Sequence, residues 1–135
     1  MKNLVVARYQ DGRVLKGISL DVDPARPTFH LREGTAPAVE VKLSDLKALF
    51  FVRSLEGNPR REEGKVPDAK DPRSRGMAMV SLRFSDWETL VGFTIRYPPN
   101  RPYFFVLPVD PESNNIRILV NREAVVDMKE GLSGA

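Results

Sequence analysis

The chain has no cysteine and a single histidine, His30. Without thiols there is neither a disulfide framework nor a thiolate nucleophile, and with a single imidazole no zinc or haem site is expected. Long apolar runs are missing as well. The longest spans residues 48–52, too short to cross a bilayer as a helix. Only Met1, Lys2 and Asn3 precede the first apolar stretch, which leaves no room for the basic and apolar regions of a signal peptide, so a cytoplasmic protein without membrane contact is expected. Charge of one sign is not in excess: 21 Lys and Arg against 18 Asp and Glu leave +3, which permits a polyanionic partner and does not demand one. None of the serines lies in a G-x-S-x-G elbow, and no Walker or Rossmann glycine pattern occurs. The densest acidic pair, Glu62 and Glu63, falls in a polar stretch where nothing would desolvate it, whereas acid–base work needs burial. The sequence therefore predicts no enzyme, no metal and no cofactor.

What is present is a globular composition, 41% hydrophobic and 29% charged over 135 residues, and a repeat. Residues 8–31 align without gaps onto residues 83–106. Arg8, Asp11, Leu15, Gly17, Pro24, Arg26, Pro27 and Phe29 recur as Arg83, Asp86, Leu90, Gly92, Pro99, Arg101, Pro102 and Phe104. Farther along, the alternating Val39, Val41 and Leu43 align with Ile116, Ile118 and Val120, and Ala48 and Leu49 with Val125 and Val126. Each copy reads as a series of short strands. Residues 4–10 run into Asp11-Gly12, the signal of a two-residue type I′ hairpin, and residues 13–22 return, with Gly17 marking a bend or bulge. Pro24 and Pro27 make a corner. Residues 28–32 and 38–43 follow as strands, Ser44 starts a single 3₁₀ turn, and residues 47–53 close the unit. The predicted fold is all-β, a tandem duplication of five-strand SH3-like or Sm-like small barrels. Its predicted divisions are a first barrel over residues 1–53, a polar linker or long loop over 54–76, a second barrel over 77–129 and a frayed tail over 130–135. A unit of about 60 residues is marginal alone, so the two would have to support each other.

Two constellations carry candidate binding chemistry. Arg26 and Arg101 stand between prolines at equivalent corners, where paired guanidinium groups would clamp a phosphate or carboxylate. Each would equally serve its own corner by bonding local carbonyls or acids. Arg96, Tyr97, Tyr103 and Phe105, together with Phe104, form a basic and aromatic cluster of the kind on which single-stranded bases stack. Alternation along a strand must send some of these rings into the core. His30 aligns with Phe105, which points to an aromatic-sized slot rather than a reactive group.

The signature D-G-R-x-L-x-G, P-x-R-P-x-F-x-L and L-S-D-L-K-A-L-F-F-V resembles an uncharacterised bacterial domain family whose members occur alone or beside PilZ domains. The resemblance covers both copies and implies a bacterial β-barrel; the setting expected for it is signalling or surface-motility machinery. It implies no catalytic activity. PilZ nucleotide chemistry does not transfer: Arg60-Arg61 lacks the second arginine of an R-x-x-x-R arm, and in residues 71–76 the serine of D/N-x-S-x-x-G comes one place late. The function expected is a non-catalytic interaction or adaptor module that binds a protein partner through an exposed strand edge or the cleft between copies. RNA or nucleotide binding is the alternative, and association with a second copy of the chain is compatible with the same edges.

Overall fold

Residues 9–13 turn the chain back through a three-residue loop, in which the Gly12 amide donates to the Tyr9 carbonyl at 3.1 Å and the Tyr9 amide to the Arg13 carbonyl at 2.9 Å. Gly12 alone is left-handed, at φ 96°, so the turn is not the type I′ hairpin predicted from Asp11-Gly12, which would need two residues of positive φ. In the computed structural model, which describes residues 2–57, 70–94 and 101–130, ten strands follow one another. They are β1 (Asn3–Tyr9), β2 (Val14–Ser19), β3 (Thr28–Leu31), β4 (Val39–Lys42), β5 (Leu46–Val52), β6 (Ala78–Phe84), β7 (Thr89–Thr94), β8 (Tyr103–Pro108), β9 (Asn115–Asn121) and β10 (Val125–Glu130). Eight of them form one antiparallel sheet in the order β10-β6-β7-β8-β9-β5-β1-β2, and β3 and β4 form a two-stranded sheet. A bridge between Ile18 and Arg32 ties β3 back to β2. The fold is all-β, most of it in one large antiparallel sheet.

Both halves run the same series. The first places β5 beside β1, β1 beside β2 and, through the bridge, β2 beside β3 and β4; the second orders β10-β6-β7-β8-β9. The Leu43 amide donates to the Pro27 carbonyl as Arg122 does to Pro102, both at 2.9 Å, and Gln10 donates to Asp45 as Ser85 does to Ala124, both at 3.0 Å. These bonds correct the alignment of the last two strands by two residues. Val39 and Val41 occupy the places of Ile118 and Val120, and Ala48 and Leu49 those of Asp127 and Met128. A slip of two leaves a period-two pattern unchanged, so alternation in the sequence cannot register it.

The strands β5 and β9 pair with each other and join the halves, with Leu49 opposite Leu119 and Phe50 opposite Ile118. Each feeds two cores by alternation. Leu49, Phe51 and Leu119 enter a cluster with Val5, Ala7 and Phe29, while Ala48, Ile118 and Val120 enter another with Val80, Leu82 and Phe84. Burial on both faces explains why LKALFFV reads as a nearly continuous apolar run rather than an alternating one. Gly17 and Gly92 are equivalent, yet what each supplies is close approach. A Cβ on Gly17 would collide with the Arg32 carbonyl, and one on Gly92 with the Leu107 carbonyl, where the next strand crosses.

Part of the segment expected as a linker is docked. Ser54 exchanges hydrogen bonds with Asn114, its amide donating to Asn114 Oδ1 at 3.1 Å and its carbonyl accepting from Asn114 Nδ2 at 2.9 Å. Arg73, in the 3₁₀ turn Pro72–Arg75, donates to the carbonyls of Pro108 at 2.8 Å and Val109 at 3.1 Å, pairs with Asp71 and lies 4.7 Å from the Phe93 ring centre. The tail expected to fray, beyond Glu130, lies outside the described residues.

Candidate functional site

The arginine corners are not brought into one clamp. Arg26 is exposed and faces Asp23 of its own corner at 3.8 Å, its amide donating to the Asp23 carbonyl at 2.9 Å. Arg101 is exposed on the other corner and shares no hydrogen-bond or ion-pair partner with Arg26 among the described residues. Arg96 and Tyr97 lie outside the described residues. Tyr103 and Phe105 pack against the first core. The Phe105 ring is 5.9 Å from that of Phe51, and the Arg117 guanidinium carbon sits 4.3 and 4.6 Å from these two ring centres. The Tyr103 and Phe105 rings are thus engaged in packing, and each residue remains half-buried.

The more distinctive feature is the difference between β5 and β10, which hold the same place in their halves. On β5, the neighbouring strand β9 seals the edge and Leu49 is 0% exposed. On β10 the same side carries no strand among the described residues; Met128, in the place of Leu49, is 42% exposed, and Val126 is 58% exposed. Phe104, Val125, Val126 and Met128 line a groove of about 150 Å³ along that edge, with Arg122 at its side. The joint at β5 is also polar-locked. Lys47 lies at the step in the β1–β5 register and reaches across to the β6–β7 turn, 2.8 Å from Asp86 Oδ2 and 2.9 Å from Glu88 Oε1, with its Nζ 4.7 Å above the Phe84 ring. Its hydrogen bond, followed by backbone bonding from Glu88, holds the Asp86 carboxyl below the usual carboxylate range. Val126 stands in the place of Lys47 on β10, so the edge that ends the sheet carries a side chain with nothing to lock.

In the β6–β7 turn, on the side of β10 that pairs with β6, stands Trp87, 74% exposed and at φ 71°. Its turn repeats the Gly12 turn, the Trp87 amide donating to the Phe84 carbonyl at 2.9 Å, so a bulky residue occupies a left-handed position that suits glycine. The Arg83 guanidinium carbon is 5.2 Å from the Trp87 ring, and Arg83 faces Asp127 of β10 at 3.9 Å. Strain of this kind, about 1–3 kcal/mol, concentrates at binding sites. Sequence reasoning passed over Val126 and Met128 because their alternation resembles a core strand. The replacement of Gly12 by Trp87 in the otherwise matching turn was the available signal.

Among the described residues no group of three or more His, Asp or Glu side chains is arranged to hold a metal ion, and no helix is long and apolar enough to cross a membrane. The chain belongs to DUF6982, a family of unknown function, with the match spanning residues 1–130. No curated protein and no solved structure matches it.

Proposed function

We propose that the protein is a non-catalytic interaction module, two SH3-like or Sm-like five-strand units derived from one duplicated unit, that binds a protein partner by taking an extended segment onto the free edge of β10. The observation that carries this reading is internal: β9 lies on β5 and closes the first core, while β10, in the same place, has no strand on that side among the described residues and borders a groove lined by Phe104, Val125, Val126 and Met128 with Arg122 and Asp127. Main-chain hydrogen bonds would hold the added strand, and pockets for alternate side chains would select it. Val126 and Met128 are already about half buried, so covering the rest contributes about 1 kcal/mol each before the cost of ordering the segment, and the affinity expected is weak and exchangeable. Trp87, which reaches β10 through Arg83 and Asp127, would serve as an aromatic anchor beside the added segment. The bacterial setting and the signalling or motility context implied by the resemblance belong to the same proposal. The alternative, stacking of bases on Tyr103 and Phe105, is not favoured, because those rings pack on the first core.

The test uses a peptide copying residues 114–121, the strand that β5 already receives. Titrated into the full chain, it is expected to shift Trp87 emission, to bind at least ten-fold more weakly to Met128→Lys, and to lose the emission response in Trp87→Gly. The Trp87→Gly protein should be no less stable than the wild type, because glycine relieves the positive φ. Undiminished binding to Met128→Lys, or no binding by this or any peptide of alternating apolar residues, overturns the reading.

A further inference from the structure

The largest described groove lies at the opposite end of the sheet, in the first half, and the reading of β10 does not use it. It measures about 560 Å³ and is walled by Ile18, Leu20 and Ala38, with Lys2, His30 and Arg32 as its basic groups. Leu20 is 69% exposed, a large apolar side chain left beside charge. Period-two alternation puts Ile18 and Leu20 on one face of their strand and its extension, and His30 and Arg32 on one face of theirs. The bridge fixes the two runs side by side through reciprocal amide-to-carbonyl bonds of 2.9 Å between Ile18 and Arg32.

The polar groups are held in place. Asp21 Oδ1 accepts the His30 amide at 2.8 Å and the Ser19 hydroxyl at 3.2 Å, while Asp21 Oδ2 lies 2.6 Å from His30 Nδ1. The imidazole is therefore oriented through one nitrogen, and Nε2 has no partner among the described residues. Arg32 Nε donates to the Ala36 carbonyl at 3.1 Å, which positions the guanidinium without neutralising it. Neither Arg32 nor Lys2 has a carboxylate partner among the described residues.

The fold does not demand this chemistry. In the second half the places of His30 and Arg32 are taken by Phe105 and Leu107, apolar residues on the same kind of strand. A scaffold requirement would recur in both halves, and this set does not.

We propose that the groove is a binding site for a small amphiphilic anion, its carboxylate or phosphate head group held by Arg32, Lys2 and His30 and its alkyl or aryl body lying on Ile18, Leu20 and Ala38. Guanidinium groups match both kinds of head group, and the apolar wall adds affinity that a bare inorganic ion would not gain. Decanoate, decyl phosphate and decanol, titrated into the full chain and followed by calorimetry and amide NMR, separate the contributions. Both anions are expected to bind and to shift Leu20, His30 and Arg32, the tighter of the two identifying the preferred head group. Decanol should bind at least ten-fold more weakly. Arg32→Gln should weaken the anions about ten-fold, as loss of a charge-assisted hydrogen bond does. Leu20→Ser, at an exposed position that leaves folding intact, should weaken long-chain but not short-chain carboxylates, and Met128→Lys should change nothing. Equal binding of decanol, affinity unchanged in Arg32→Gln, shifts centred on β10, or no binding by either anion overturns the proposal.

Discussion

At the scale of single residues, two glycines in equivalent strands are held by something harder than turn preference. Gly17→Ala or Gly92→Ala would drive a methyl group into the carbonyl of a crossing strand, and each is expected to destabilise the protein by about 1–3 kcal/mol. Gly12→Ala adds a Cβ that meets nothing within 4 Å and should cost only the left-handed strain, about 1–2 kcal/mol. Urea unfolding of the three variants checks this. If Gly17→Ala proved as stable as the wild type, the close approach described for β2 and β3 would be wrong. The Asp21 and His30 pair predicts a pH dependence. The hydrogen bond to Asp21 and then its charge raise the His30 pKa, with a smaller contribution from Glu40 opposite it; Lys2 and Arg32 also line the groove. Burial works to raise the Asp21 carboxyl, but hydrogen bonds from the His30 ring and amide and from Ser19 outweigh it and hold it low. A raised histidine contributes stability that is fully present below its unfolded value and lost as pH rises through the folded one. A depressed carboxylate contributes above its unfolded value and loses that contribution as pH falls through the folded one. The pair should thus support the fold between the carboxylate range and the raised histidine value. In an NMR titration the His30 midpoint is expected above the ordinary histidine value in the wild type and lower in Asp21→Asn; equal midpoints would show that the contact does not form in solution.

At the scale of elements, what could be read from the sequence depended on whether the signal was local. The first hairpin, though not its turn type, the corner at Pro24 and Pro27 and the 3₁₀ turn before β5 follow from residues adjacent in the chain, and each of those strands is where alternation and turn residues put it. The register of β9 against β4 was not legible, because the stretch from Val106 to Ile118 is longer than the equivalent stretch from Leu31 to Val39, and an alternating strand hides a two-residue shift. The fate of Tyr103 and Phe105 was not legible either, since the core they cover belongs to the other half. Arg73 is a similar case: a polar, proline- and glycine-containing stretch gives no hint that one guanidinium will find two carbonyls and an aromatic face. Replacing it should free the 3₁₀ turn. In Arg73→Gln the Gly76 and Met77 amides, which donate to the Arg73 carbonyl at 3.3 and 3.0 Å, are expected to exchange with solvent at least ten-fold faster, while the amides of β1 and β5 keep their protection. Unchanged exchange at Gly76 and Met77 would mean that the turn stands without the clamp.

At the scale of the molecule, a pair of strands that belongs to two cores couples the halves. Removing residues 70–135 would strip β9 from β5, baring Leu49 and Phe51 on one face and Ala48 and Phe50 on the other. A single cooperative unfolding transition is therefore expected by calorimetry, with equal calorimetric and van't Hoff enthalpies, and residues 1–57 alone should stay unfolded. Two resolved transitions would show that the cores are independent. The same joint also bears on growth. It is heterologous, the last strand of one half meeting the fourth strand of the other, and β10 and β4, which hold the matching places, pair with no further strand on their outer sides among the described residues. Such a contact, if complementary, adds copies in a ring or a fibre without limit. Where β8 and β9 offer Tyr103, Phe105 and Leu119 to the joint, β3 and β4 offer Thr28, His30 and Glu40, and where β5 offers Lys47 to Asp86 and Glu88, β10 offers Val126 to Asp11 and Arg13. The two outer edges thus differ from the inner joint in composition rather than geometry, and a few exchanges toward the inner sequence are expected to make the chain self-propagating.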